Sequence, residues 1–372
     1  MPTVVVAAVF GIVAVPTAAS AAACAPVSVD ARVLLSGPYD AQTGLMGDAL
    51  RTTGILPSTE PYSGLGFAMR GGEGNTAQLG DPATSDASSI VDWVLFELRD
   101  AADPSAIVAT DAVTVERDGD LSRPLSFAVP SGEYYLAVEH RNHLGVMTAT
   151  PIALSAGTPV SVDFTDPATP VWNRTDIDGG SGPIDYRGSE RDLQGGVAML
   201  WMGDADDNGR VVFDGVVDDD PAAIEATVIG APDNALSSAS YVYRAYVGGD
   251  LNMDADAIFQ GQRNDSDVAF NAVTRFPLNN ANDASYAYMY EQLPPSVLGE
   301  DLSATCEDET PPTDPPADPV SDPAAPPAAD DVRTLAETGA DASTTPLAIT
   351  GAALLALGGM SLVIARRRTA ER

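Results

Sequence analysis

Alternating apolar and polar residues in the first half of the chain predict short β-strands. Residues 29–35 alternate before a Ser-Gly-Pro break, and residues 90–98, 112–117, 134–138 and 160–164 are further runs rich in β-branched and aromatic side chains. Gly, Asp and Pro turns separate these runs, a pattern typical of an antiparallel β-sandwich. We therefore predict a β-sandwich domain over residues 24–165. The Gly-, Ser-, Thr- and Pro-rich residues 36–88 are predicted to form long loops, which often carry binding.

An internal repeat occupies the second half of the chain. The heptapeptide 203–209 returns at 249–255, a period of 46 residues. Further matches are Phe213 with Phe259, Gly215 with Gly261, Asp219 with Asp265, and Ala239-Ser240-Tyr241 with Ala284-Ser285-Tyr286. Each loop precedes a predicted helix. The first is capped by Asp220, carries Pro221 at its first position and ends at Gly230, and the second runs from about Ser266 to Phe276. We predict a small α/loop region over residues 166–300.

The two ends of the chain carry patterns of export and membrane insertion. Residues 4–15 are apolar, and small residues with A-x-A cleavage sites follow, which predicts a signal peptide over residues 1–23. Residues 346–365 are almost wholly apolar, and as a helix they would span about 30 Å, the thickness of a bilayer core. Arg366, Arg367 and Arg368 follow directly, so the C-terminus is predicted to stay inside the cell.

A pentapeptide precedes the predicted membrane helix and consists of Leu335, Ala336, Glu337, Thr338 and Gly339. With the helix and the basic tail, residues 335–372 resemble the LPxTG sorting signal in its LAxTG form, which is common in high-GC Gram-positive bacteria. The resemblance implies that a sortase cuts between Thr338 and Gly339 and joins Thr338 to the peptidoglycan of the cell wall. The protein is then secreted and anchored outside the cell, and it meets the membrane only through the C-terminal helix before sorting. A plain membrane anchor is the alternative.

Between the predicted cleavage site and Thr338 the chain is strongly acidic. These residues include 15 basic and 51 acidic side chains, a net charge of −36. Such a surface repels nucleic acid and anionic lipid and attracts divalent cations, so we expect no nucleic-acid partner. The sequence contains no lysine, which excludes an internal isopeptide bond that depends on lysine.

Two cysteines bracket the region predicted to fold. Outside the cell an even cysteine count favours a disulfide, here between Cys24 and Cys306, and a lipid-modified Cys24 is the alternative. Residues 301–334 are rich in Pro, Asp and Ala and are predicted to form an extended, disordered stalk. At about 3 Å per residue, this stalk would hold the folded region away from a thick wall.

The acidic loops of the repeat place oxygen-bearing side chains at the spacing of an EF-type calcium loop. Such a loop supplies ligands from positions 1, 3 and 5, a backbone carbonyl at 7 and a later acid. The predicted ligands of the first loop are Asp204, Asp206, Asn208, the Arg210 carbonyl and Asp219. Those of the second loop are Asp250, Asn252, Asp254, the Asp256 carbonyl and Asp265. The loops resemble dockerin-type calcium repeats, except that Gly215 and Gly261 stand at position 12.

We explain that departure by an inserted turn that delays the last acid, a role that Asp218, Asp220 or Asp267 could also fill. Ala255 replaces the turn glycine Gly209, which predicts that the second site is the weaker one. Ordinary Asp-rich turns are a competing interpretation of both loops. The histidines of His140-Arg141-Asn142-His143 are interpreted as a hydrogen-bonded strand end rather than a metal pair.

Residues 27–294 as a whole resemble a loosely defined hemagglutinin-like module of bacterial secreted proteins. The resemblance rests on residues 31–40, 91–100, 140–148 and 291–294 together with both acidic loops, and it implies location more than mechanism. The sequence carries no G-x-S-x-G, H-E-x-x-H, phosphate-loop or dinucleotide motif. We therefore expect a non-catalytic, calcium-stabilised module on a stalk that binds an extracellular ligand, a glycan or a protein, or mediates adhesion. The alternative is a wall-anchored carbohydrate hydrolase that uses paired carboxylates.

Overall fold

The computed structural model describes residues 25–215 and 219–304, and this part of the chain is mainly β. Its strands are β1 Val27–Arg32, β2 Tyr39–Asp40, β3 Leu45–Met46, β4 Ile90–Asp100, β5 Ala106–Glu116, β6 Leu125–Phe127, β7 Gly132–His140, β8 His143–Met147, β9 Ile152–Leu154, β10 Val160–Asp163, β11 Asp192–Gln194, β12 Val197–Met199, β13 Arg210–Val211, β14 Val242–Tyr243, β15 Ala257–Ile258, β16 Met289–Tyr290 and β17 Val297–Leu298. Its helices are α1 Ala49–Thr52, α2 Tyr62–Leu65, α3 Asp220–Ile229, α4 Asp265–Arg275 and a 3-10 turn at Leu302–Ala304.

The largest sheet has the strand order β17-β5-β4-β7-β8, with β9 also paired to β7. Residues 90–99 of the central strand β4 are all buried, so both faces of this strand are covered. Strand β5 is buried from Ile107 to Val115. A strand that is buried on both faces forms a nearly continuous apolar run, and this explains why the sequence predicts β4.

A second sheet of three strands, in the order β10-β1-β6, shares a hydrophobic core with the first sheet. Val29 of β1 and Phe127 of β6 lie in the same cluster as Trp93 and Phe96 of β4. The rings of Phe96 and Phe164 lie 6.5 Å apart at this junction. Two strand pairs are parallel, β1 with β10 and β17 with β5, whereas the sequence pattern predicted only antiparallel pairing.

Residues 36–88, predicted as long loops, are mostly irregular but pack closely on the sheet. The two short helices α1 and α2 lie within this segment. Tyr62 is fully buried and donates a hydrogen bond from its hydroxyl to the carbonyl of Trp93, at 2.7 Å. The indole N–H of Trp93 donates in turn to the carbonyl of Pro57. Much of this segment therefore covers the core.

The two copies of the repeat exchange short strands with each other. Strand β13, which follows the first acidic loop, pairs with β16 behind helix α4. Strand β15, which follows the second acidic loop, pairs with β14 behind helix α3. The helices α3 and α4 pack together. The two copies thus form one interlocked pair of acidic loop, strand and helix units.

The folded part continues beyond the predicted start of the stalk at residue 301. Leu302 packs against the main core, and Arg70 holds the carbonyl of Gly299 and pairs with Asp301. All described residues belong to one compact unit. No helix among the described residues is both long and apolar enough to cross a bilayer. The signal peptide, Cys24, Cys306, the rest of the stalk, the sorting pentapeptide and the predicted span 346–365 lie outside the described residues.

Candidate metal centre

The first acid of each loop is fixed by the same pair of backbone hydrogen bonds. The carboxylate of Asp204 accepts from the N–H groups of Asn208 and Gly209, at 2.9 Å each. The carboxylate of Asp250 accepts from the equivalent N–H groups of Asp254 and Ala255, at 3.1 and 3.0 Å. Each loop is thereby curled around its first acid, and the period of 46 residues seen in the sequence is a structural equivalence.

The last acid of the first loop is Asp220. One oxygen of Asp220 accepts from the N–H of Ala205 and the other from the N–H of Val212. Asp265 accepts in the same way from Leu251 and Ile258. Asp220 and Asp265 are therefore equivalent, with a spacing of 45 residues rather than 46.

Asp219, which the fixed period pairs with Asp265, has a different role. Its carboxylate caps helix α3 by accepting from the N–H of Ala222, at 2.7 Å. Asn264 caps helix α4 in the same way. The second copy is one residue shorter than the first between its loop and its helix. A constant period of 46 residues therefore pairs Asp265 with Asp219 instead of with Asp220. Asp267, also considered for the last acid, belongs to the first turn of α4, and Asp218 lies outside the described residues.

Three acids of the first loop converge on one point. Carboxylate oxygens of Asp204, Asp206 and Asp220 all lie within 4.8 Å of one another, and Asp204 and Asp220 are buried. Within residues 25–215 and 219–304 this is the one group of three potential ligands with such spacing. Burial raises the pKa of Asp204 well above its usual value, and the charge of Asp206 adds to the effect. Burial and the charge of Asp204 do the same for the pKa of Asp220.

The second loop buries a similar pair but also contains cations. Burial raises the pKa of Asp250 to about 6 and that of Asp265 to about 8. Arg263 pairs with Asp254 at 2.8 Å, and Arg244 pairs with Asp256 at 2.7 Å. Arg263 therefore already compensates the predicted ligand Asp254, whereas Asp256 is predicted to bind through its carbonyl. That the second site is the weaker one stays a prediction.

The remaining predicted ligands lie at the loops, but their side chains are engaged locally. Asn208 donates to Asp206, and the side-chain oxygen of Asn252 accepts from the N–H of Asp254. The guanidinium of Arg210 lies over the ring of Tyr290, at 5.7 Å. Ligation by the carbonyls of Arg210 and Asp256 stays a prediction.

Glu291 is an acid near the first loop that the ligand pattern did not include. Its N–H donates to the carbonyl of Gly209, and a Cβ placed on Gly209 would lie 2.7 Å from its carboxyl group. Gly209 has φ +80°, and the equivalent Ala255 has φ 79°, a left-handed conformation that is costly for a residue with a Cβ. The two strand pairs have the same register, and in it the residue equivalent to Glu291 is Ala245, which has a much smaller side chain. Glu291 reaches the loop through the pairing of β13 with β16, a contact that no local sequence pattern indicates.

A buried polar cluster joins the second loop to the large sheet. His140 ends β7 and His143 begins β8, and their Nδ1 atoms lie 3.0 Å apart. His143 Nε2 accepts from the N–H of Gly37, so its Nδ1 carries the proton, and His140 then donates from Nε2 to Asp92. Burial lowers the pKa of both histidines.

Asn142, between the two histidines, donates to the carbonyls of Gly248 and Asp250. Arg141 pairs with Asp92 and donates to the carbonyl of Val247. The interpretation of the segment 140–143 as a hydrogen-bonded strand end agrees with these contacts, and the two histidines meet because the chain turns between them.

Comparison of this chain with family models, with curated proteins and with solved structures finds no match.

Proposed function

We propose that the protein is a cell-wall-anchored, non-catalytic surface module that calcium stabilises and that binds an extracellular ligand or mediates adhesion. In this proposal the mainly β part is an antiparallel-type sandwich, the two acidic loops are dockerin-like calcium sites, and a Pro-rich stalk leads to the sorting signal and its membrane helix. The sortase and the peptidoglycan are the partners that the LAxTG pattern implies.

One observation carries the calcium proposal: within the described residues, the two buried carboxylates of each loop accept hydrogen bonds from backbone N–H groups and form no ion pair. The charge of Arg141 also acts on Asp250 in the second loop. In the first loop, the strongest charged influences on Asp204 and Asp220 are other acids. A buried carboxylate is costly unless it is protonated or meets a cation. Calcium prefers clustered oxygen ligands on a curled loop of this kind.

The burial of these acids also favours a structural ion over hydrolysis. Asp220 and Asp265 are fully buried, and both oxygens of each accept backbone hydrogen bonds. A glycosidase needs a carboxylate pair that a sugar can reach from solvent. The same arrangement occurs twice in one chain, as expected of a structural repeat.

Thermal unfolding of the purified protein tests the proposal. A ligand that binds only the folded state adds RT ln(1 + [L]/Kd), which is about 1.4 kcal/mol per site at millimolar calcium and a Kd near 10⁻⁴ M. We expect calcium to raise the melting temperature by a few degrees relative to chelator. Equal melting temperatures with calcium and with chelator would show that the loops are ordinary turns that bind no calcium. Cell fractionation of Thr338→Ala tests anchoring separately, because wall-linked protein should disappear.

A further inference from the structure

A cleft of about 660 Å³ lies away from the acidic loops, between two segments near the middle of the chain. One wall consists of residues 167–175 and the other of residues 187–193. The volume falls within the range of about 300–1,000 Å³ that is usual for small-ligand sites. Asn173 holds the walls together, because it donates to the carboxylate of Asp185 and accepts from the N–H of Tyr186.

Trp172 is half-buried and lines this cleft. Its backbone N–H donates to the carbonyl of Met147, and its indole packs edge-on against Tyr135 at 5.7 Å. Trp93 and Trp201 both donate their indole N–H to backbone carbonyls. Among the described residues, the indole N–H of Trp172 has no such acceptor. A fixed aromatic face with an unused donor is suited to a polar ring-shaped ligand.

Two arginines, Arg187 and Arg191, line the cleft together with one acid, Glu190. Arg191 is buried, and its guanidinium donates to the carbonyls of Phe164, Asp166 and Thr169. Within the described residues no carboxylate pairs with it within 4 Å, and burial lowers its pKa. Arg187 lies at the mouth and forms one exposed pair with Asp185 at 3.2 Å. A bound anion would compensate the buried charge of Arg191 and reach the exposed head of Arg187.

We propose that this cleft binds an acidic saccharide, with the sugar face on Trp172 and the sugar carboxylate toward Arg187 and Arg191. The proposal rests on the proposed function as a ligand-binding surface module, and it names the class of that ligand. Asn173, Thr175 and Glu190 line the same cleft and offer hydrogen-bond partners for sugar hydroxyls. Arginine is suited to this role because its planar donors match a carboxylate.

An array of oligosaccharides tests the assignment with the purified full chain. The array carries glucuronic-acid, sialic-acid and N-acetylmuramic-acid oligosaccharides, each beside the same compound with its carboxyl reduced to an alcohol. We expect binding to at least one acidic class, with about a tenfold loss for its reduced partner, since a charge-assisted hydrogen bond is removed. The class that binds distinguishes host-type glycans from cell-wall glycans. Failure of every acidic class to bind, or equal binding of the reduced forms, overturns the proposal.

Three variants locate the binding. Trp172→Ala and Arg187→Ala should each weaken binding about tenfold or more. Arg32→Ala is the matched control, because Arg32 is also an exposed arginine paired with an aspartate, here Asp120, and its loss should leave affinity unchanged. Equal affinity in all three variants would place the ligand elsewhere and overturn the assignment. Thermal unfolding with calcium and with chelator is measured on the same samples. Failure of the calcium proposal can therefore be distinguished from failure of saccharide binding in the cleft.

Discussion

At the scale of single residues, two neighbouring aspartates have different roles. Asp220 lies with Asp204 and Asp206, whereas Asp219 caps helix α3. We expect Asp220→Asn to remove most of the calcium-induced rise in melting temperature of the first site, about 1.4 kcal/mol at millimolar calcium. In chelator the same variant should melt below the wild type, because asparagine can accept only one of the two backbone hydrogen bonds that Asp220 accepts. The effect of calcium is therefore read for each protein as the difference between its two melting temperatures.

Asp219→Asn is the control for this prediction. Asparagine caps helices as well as aspartate does, so the calcium-induced rise should persist in this variant. The melting curves of both variants, with calcium and with chelator, decide the matter. A lost rise in Asp219→Asn with a normal rise in Asp220→Asn would show that the last ligand had been assigned to the wrong residue.

Asp265 predicts a pH dependence for the ion-free protein. Burial raises its pKa to about 8, and an unfolded chain would have the ordinary value of 3.8. An acid whose pKa is raised by folding supports stability at pH values below about 4, and this support is lost as pH rises toward 8. One such group changes the free energy of unfolding by at most about 1.4 kcal/mol per pH unit. Asp250, with its pKa raised to about 6, acts in the same direction over a narrower window.

We therefore expect stability in chelator to fall between pH 4 and pH 8, as measured by urea unfolding. Asp265→Asn should flatten the upper part of this fall. Calcium should oppose the fall, since its carboxylate ligands bind in the deprotonated form. A wild type whose ion-free stability rises steadily over this range would contradict the predicted charge state of Asp265.

The sequence was sufficient to place the first acids of each loop, because these residues lie within a few positions of one another in the chain. Asp204 and Asp206 follow from spacing alone. The role of Asp219 as a helix cap could not be predicted from spacing, because the two copies differ in length by one residue in a segment without a distinctive pattern. Glu291 was missed for a different reason: it reaches Gly209 through strand pairing between residues about 80 positions apart.

At the scale of elements, the repeat extends beyond the acidic loops and helices into the turns that follow. Asn234 donates to the carbonyls of Val228 and Ser238. Asn279 makes the same contacts with Val273 and Asp283. All of these pairs are 45 residues apart, and both asparagines are buried. The helix and the turn therefore form one unit with the loop.

This equivalence predicts the cost of truncating either asparagine. Asn234→Ala and Asn279→Ala each remove the side-chain partner of two carbonyls and one N–H, which should cost about 1–3 kcal/mol each. Asn280→Ala is the control next in sequence, because Asn280 is exposed, and it should be nearly neutral. Urea unfolding measures all three. A neutral Asn279→Ala would mean that the second turn is not held by this side chain.

Strand prediction from the sequence was successful where the apolar runs were long. It missed part of a strand where a buried charged residue is paired with a residue distant in sequence. The run at 90–98 is confirmed as β4, whereas β5 begins at Ala106 rather than near residue 112. The predicted run began just after Asp111, which lies buried within β5 and pairs with Arg123 at 2.7 Å. Strands of two residues, such as β13 to β16, carry too few residues to show any alternation.

At the scale of the whole molecule, the second acidic loop is part of the main core. Met253 and Ala255 belong to the same cluster as Trp93 and Val94 of β4. Tyr246, just before the loop, donates its hydroxyl to the buried Asp92 at 2.8 Å. The second loop therefore contacts the sheet as well as the repeat.

The segment 140–143 is the route by which loop and sheet are coupled. Asn142 donates to the carbonyl of Asp250 at 2.7 Å, and its own carbonyl accepts from the N–H of Gly203 at the start of the first loop. If removal of calcium lets Asp250 repel its neighbouring acids, both loops should loosen around Asn142. Segment 140–143 should then respond to calcium although it supplies no ligand.

Hydrogen exchange with and without chelator measures this response. We expect chelation to speed exchange by about tenfold or more in residues 203–215 and 249–265, which corresponds to a loss of about 1.4 kcal/mol of local stability. Residues 140–143 should follow in the same direction, while the amides of β4 and β5, at the centre of the large sheet, should stay protected. Exchange that rises in the loops and is unchanged at residues 140–143 would show that the two loops open without disturbing the sheet.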